Sequence, residues 1–141
     1  MSDAAPPGYE PVSDAGFNDY VGPIWFKPGA GEAPGHFLFD VREHHLNGGG
    51  FLHGGMAMAL ADVVLGVTVS RAIGGAPCAT VSLNCDFTAA GRAGERIEGE
   101  ARVTRRTRSV VFVSGELFTR GRDGARRTLM TATGIWKILD L

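Results

Sequence analysis

A single carboxylate, Asp62, stands inside an otherwise uncharged stretch that runs from Gly54 to Ser70. Stripping water from an ionised carboxylate is costly, so such a group is hydrogen-bonded, paired with a cation, or kept for chemistry. The stretch holds no cation of its own. Gly48, Gly49 and Gly50 form a flexible lead-in, after which Met56, Leu60, Val63 and Val67 recur near helical spacing. A helix is therefore expected to begin at His53 or Gly54. Its first backbone N–H groups lack partners within the helix, and Gly54 and Gly55 carry no side chains to shield them. A carbonyl oxygen gaining negative charge would be held there by hydrogen bond and helix dipole together, which describes an oxyanion site. Asp62 lies eight positions beyond Gly54, about 12 Å along one helix at ~1.5 Å per residue. One small reacting carbon cannot touch both. If the two groups serve the same reaction, the carboxylate comes from a second, antiparallel copy of the helix across a two-fold axis, with two equivalent sites per dimer.

The elements that would position these groups are strands. HFLFDV (36–41) alternates Phe37, Phe39 and Val41, and TVSLNCDF (80–87) alternates Val81, Leu83, Cys85 and Phe87, as half-buried strands do. RIEGEARV, SVVFVSGELF and TLMTATGIWKI add three more, with GRDG at 121–124 as the turn between the last two. The order reads strand, long helix, then four strands in an antiparallel meander. By itself the β-branched cluster Val63, Val64, Val67, Thr68 and Val69 would also suit a strand. Residues 1–35 are rich in Pro, Gly and acidic side chains and form an N-terminal extension to a domain at 36–141. Their one apolar island, FNDYVGPIWF, either covers the binding site or packs outside the core.

The 141 residues, 44% hydrophobic with a net charge of −1, describe one globular domain large enough for a real core. Asp3 and the Pro6–Pro7 pair stand where a signal peptide would be basic and then apolar, and the longest apolar stretch is Gly-rich and broken by Asp62. A cytoplasmic protein with no membrane partner is expected. Cys78 and Cys85 read as two reduced structural thiols, with no metal site. Residues 1–50 hold two basic and seven acidic side chains, whereas 91–137 hold eleven basic and five acidic ones, so an anion is expected on the second half. Nucleic acid is not expected, since the chain is weakly acidic and no basic motif with interleaved aromatics occurs.

Asn47, His53, Gly54, Gly55 and Asp62, in the order N-x5-HGG-x6-D, resemble the signature of hotdog-fold acyl-CoA thioesterases of the PaaI type, in the 4-hydroxybenzoyl-CoA thioesterase superfamily. ATVSLNCDFTAAGRAGERIEGEARV (79–103) and TRSVVFVSGELF (107–118) resemble the family's strand, turn and strand pattern, so the likeness covers residues 36–137. It implies an α+β hotdog fold, one long central helix wrapped by an antiparallel sheet, and decides for a helix at the β-branched cluster. It implies an acyl-CoA substrate, with an aromatic or medium-chain acyl group, hydrolysed to free acid and CoA. It implies no cofactor or metal, CoA being part of the substrate.

Carried over residue by residue, the resemblance makes Asp62 the nucleophile or the base that activates water, and the Gly54 amide the group that polarises the carbonyl. Asn47 would orient the thioester or the water, or else is a turn residue of its glycine-rich loop. His53 would shape the oxyanion end, or else is a cap. Ser82 would hold a water near Asp62, or else faces solvent on its strand. The cluster Arg102, Arg105, Arg106 and Arg108 either binds CoA phosphates, with Arg105, Arg106 and Arg108 as the expected contacts, or is the charged edge of a sheet. A homodimer with sites at the interface, assembled further as a dimer of dimers, is expected. Two other readings are an acyl-CoA sensor, which could discard Asp62, and a hotdog dehydratase, which would need a loop His and a Pro-Gly stretch where this chain has NGGGFLHGG. A Ser-His-Asp hydrolase is not expected, since no G-x-S-x-G elbow is present and Ser109 and Ser114 lie in strand-like runs.

Overall fold

The computed structural model describes residues 3–140. Seven strands make one antiparallel sheet: β1 (Glu10–Pro11), β2 (Ile24–Lys27), β3 (His36–Asp40), β4 (Cys78–Phe87), β5 (Arg96–Arg106), β6 (Val110–Arg120) and β7 (Arg126–Ile138). Their spatial order is β1-β2-β3-β5-β6-β7-β4. A short helix α1 (Phe17–Val21) precedes β2, a 3-10 turn (Glu43–His45) follows β3, and the long helix α2 (Gly54–Ala72) packs on β4, β5, β6 and β7. One long helix wrapped by an antiparallel sheet is the expected architecture.

Two features depart from the sequence reading. The last four strands are not a single meander, because β4 pairs with β7, from Cys78 opposite Ile138 to Phe87 opposite Met130, and not with β5. Only β5, β6 and β7 follow one another, and β5 pairs on its other side with β3. This order puts β4 at one end of the sheet and leaves its second edge free. The apolar island near the N-terminus is part of the core: Val21, Ile24 and Phe26 are buried, and β2 pairs with β3.

Helix α2 buries Met56, Ala57, Leu60, Ala61, Val64, Leu65 and Val69, a stripe recurring at helical spacing. Burial of that stripe, at roughly 1.5–3 kcal/mol per large apolar side chain, overrides the strand preference of its β-branched residues. The helix lies close to the sheet because glycines face it. A methyl group on Gly115 would sit 2.6 Å from the Glu100 carbonyl oxygen and 3.0 Å from Leu65 Cδ1, and one on Gly99 would sit 2.9 Å from Val64 Cγ2. The expected turn joins β6 to β7, with the Gly121 amide donating to the Ala125 carbonyl at 3.0 Å.

The contact at Gly115 involves backbone that cannot step aside, so Gly115→Ala is expected to destabilise the fold by about 1–3 kcal/mol. In urea denaturation the midpoint should fall while the slope stays constant.

Candidate active site

Residues 45–53 close into a small hairpin immediately ahead of α2. Its legs are held by the His53 amide donating to the His45 carbonyl at 2.9 Å, a bridge between Leu46 and Leu52, and the Asn47 amide donating to the Phe51 carbonyl at 2.7 Å. The three glycines form its tip and are not a slack lead-in. Gly50 has φ +83°, a conformation open to glycine, and donates to the Asn47 carbonyl at 3.1 Å. The Asn47 side-chain oxygen accepts from the amides of Gly49 at 2.9 Å and Phe51 at 3.1 Å. Asn47 is thus a turn-forming residue in its oxygen, while its exposed NH2 group remains able to donate outward.

Helix α2 begins at Gly54 with His53 as its N-cap, and His53 Nδ1 accepts the Gly55 amide at 2.8 Å. His53 is thus the cap of the helix, one of its two expected readings. It also occupies the Gly55 amide. The Gly54 amide makes no hydrogen bond among the described residues, and no acidic side chain occupies the first turn to offset the positive end of the dipole. The ring of Phe87 flanks it, 3.5 Å from where a Gly54 side chain would begin.

Asp62 is half-buried on the same helix, with Gly54, Met58 and Asp62 succeeding one another at intervals of four. Its Oδ1 accepts from the Thr80 hydroxyl at 2.7 Å. It has no ion pair among the described residues, and its Oδ2 is left open. The Cys85 thiol, raised in pKa by burial first and then by the Asp86 and Asp62 carboxylates, marks the strand face that Asp62 overlooks. Both cysteines are free.

Ser82 does not occupy the predicted position beside Asp62. A bulge at Val81 shifts the register between Thr80 and Ser82, so Thr80 meets Asp62 while Ser82 contacts Asn84, at 3.4 Å from its amide nitrogen. Asn84 in turn lines a groove of about 350 Å³ on the outer face of the sheet with Asp86, Glu100, Arg102 and Ser114. Thr80 is the site residue that strand alternation missed; a hydroxyl two positions before Ser82 was the only sequence signal for it.

The arginine cluster is divided. Arg102 turns to that outer groove, and Arg106 donates from Nη1 to the Ala72 carbonyl at 2.9 Å, capping the C-terminal end of α2. Arg105 and Arg108 are exposed and have no ion pair or hydrogen bond among the described residues. By contrast, Arg96, Arg120, Arg126 and Arg127 are paired with Asp40, Glu98, Glu100 and Glu95. Ala72 lies 18 positions after Gly54, so Arg106 meets the helix roughly 27 Å along from the Gly54 amide of its own chain.

The arrangement is a free backbone amide and a carboxylate held apart on one rigid helix. A family model for the thioesterase superfamily matches residues 49–125, more than half of the chain. A protein of Pseudomonas aeruginosa named as an esterase is 28% identical over 137 residues, covering 94% of this chain and 96% of its own. Human acyl-coenzyme A thioesterase 13 is 31% identical over 87 residues, 60% of this chain and 62% of that protein. The crystal structure of a phenylacetic acid degradation-related protein from Ralstonia eutropha JMP134 superposes with a TM-score of 0.73 at 30% identity, covering 86% of this chain and 88% of the other. The chain belongs to the thioesterase superfamily, with the hotdog fold of its PaaI-type members, and is a thioester hydrolase.

Proposed function

We propose that this chain hydrolyses acyl-CoA thioesters as a homodimer, the carbonyl resting on the Gly54 amide of one protomer and attacked with the help of Asp62 from the other. The observation that carries this reading is the free Gly54 amide on the same helix ridge as the Thr80-bonded Asp62, eight positions away. Antiparallel pairing of two α2 helices sets each Gly54 against Asp62 of the second copy, with Met58, the midpoint, on the two-fold axis. The free edge of β4 supports such a partner. The free edge of a ten-residue strand invites pairing, and Val81 and Phe87 along it are 65% and 55% exposed.

The Asp62 Oδ2 and the acceptor lone pairs of Thr80 together suit a bound water. In this arrangement Asp62 takes a proton from that water, the hydroxyl oxygen adds to the carbonyl carbon, and the oxyanion forms at the Gly54 amide. Collapse breaks the C–S bond, the CoA sulfur takes the proton held by Asp62 and leaves as the thiol, and the acid remains. The alternative, direct attack by Asp62, would pass through an acyl anhydride. Label found in the Asp62 carboxylate after a single turnover in 18O-water identifies the anhydride route, with water attacking the Asp62 carbonyl carbon.

The same dimer brings the C-terminal end of α2, with Arg105 and Arg108, beside the 45–53 hairpin of the partner. Ala72 lies ten positions past Asp62, roughly 15 Å along the helix, a span suited to a pantetheine arm ending in phosphates. Arg105 and Arg108 are the proposed phosphate contacts, and Arg106, bonded to the helix end, supports them. The human relative is named for acyl-CoA. Phe51 and Phe87, the exposed aromatics about the Gly54 end, favour an acyl group with a flat or apolar body.

Asp62→Asn should lower kcat by roughly 10²–10⁴-fold with little change in KM, read by free-thiol release from phenylacetyl-, benzoyl- and straight-chain acyl-CoAs; near-normal turnover by this variant would remove Asp62 from the mechanism. Replacing Arg105 and Arg108 together by Ala should raise KM by about tenfold and leave kcat nearly unchanged. With Cys78 and Cys85 as background in wild type, Met58→Cys should be joined into a covalent dimer by a short thiol-reactive linker, and failure to exceed that background would displace the axis from Met58.

A further inference from the structure

His45 is 3% exposed, and both ring nitrogens are engaged. Nδ1 accepts the Arg42 amide at 2.9 Å, and Nε2 donates to the Val21 carbonyl at 2.6 Å. Its own carbonyl receives the His53 amide at 2.9 Å. The residue therefore ties three segments together: the end of α1, the 3-10 turn, and the final residue before the Gly54 amide. His53 follows directly, and its Nδ1 caps Gly55. A shift of the His45 carbonyl would move His53 and, with it, the first free amide of α2.

Resting on the assignment of Gly54 as oxyanion donor, we infer that His45 is a positioning residue for the reaction: its neutral ring locks the base of the 45–53 hairpin and so fixes the Gly54 amide, while making the N-terminal segment a structural part of the site. The ring does not touch substrate. Its role needs Nδ1 as an acceptor, which a proton would abolish. The surroundings oppose protonation. Burial is the main cause lowering the His45 pKa below 6.5, with added repulsion from His44, whose ring centroid is 4.0 Å away, and from Arg42; the Val21 carbonyl opposes them. Phe39 of β3, 4.6 Å away between ring centroids, adds no charge, and Arg42 is itself paired with Asp3. Because the folded pKa is depressed, the locked hairpin is fully present above pH 6.5 and is lost as pH falls through the lowered value.

Two conservative variants each keep one ring bond. In His45→Asn the side-chain oxygen can accept from Arg42 but cannot reach Val21, and in His45→Gln the amide nitrogen can reach Val21 but nothing accepts from Arg42. At pH 8 both should lose roughly 10- to 100-fold in kcat with KM altered less than about twofold. The wild-type decline in kcat below pH 6.5 should be missing from both, whereas any limb due to a carboxylate is common to all three proteins. Amide hydrogen exchange, which needs no turnover, should rise selectively at 46–57 and not in β5–β7. Unchanged exchange there, or unchanged kcat, or the same acid limb in all three proteins, overturns the role of His45. Absence of turnover in wild type together with the selective rise in exchange overturns the acyl-CoA hydrolase assignment and leaves the hairpin lock standing.

Discussion

The structure depends on the rigidity of one helix. A backbone amide at its first turn and a carboxylate two turns later share a face but are separated by about 12 Å, and no side-chain motion closes that gap. Burial of the opposite stripe, from Met56 to Val69, prevents the helix from bending to bring them together. In the proposed dimer the two groups become a site because a second helix supplies the missing half. The exposed β4 edge and the half-buried Asp62 both suit the proposed assembly.

Placing the helix also fixes what surrounds it. Gly99 and Gly115 allow the closest approach of α2 to β5 and β6, and the bulge at Val81 turns Thr80 toward Asp62. At the other end of the helix Arg106 is spent on the Ala72 carbonyl. At the start, His53 satisfies Gly55 and leaves Gly54 free, so one amide rather than two is available for the proposed oxyanion. The 45–53 hairpin holds Asn47 and His53 on opposite legs, so turn chemistry and site geometry have the same origin.

Much of this was legible in the residues themselves. Local signals read correctly: the start of α2 at Gly54, the 121–124 turn, and the lone carboxylate in an apolar helix. Missed features were set by pairing across the sheet. Whether β4 lies beside β5 or β7 depends on contacts more than forty residues apart in sequence, and alternation cannot reveal the extra residue at Val81 that exchanges Ser82 for Thr80. The apolar residues of 17–26 looked separable because acidic and Pro-rich sequence surrounds them, yet Val21, Ile24 and Phe26 are core. Arg106 looked equivalent to its neighbours until the helix end claimed it.

The central claim, one site built from two chains, is tested most directly by subunit complementation. Gly54→Pro removes the oxyanion N–H at a position where proline suits a helix start, and Asp62→Asn removes the carboxylate; each homodimer alone should be inactive. Refolded together in equal amounts, they should recover about a quarter of wild-type activity, because half of the dimers are mixed and each carries one intact site. No recovery from verified mixed dimers would mean that Gly54 and Asp62 do not act across the interface.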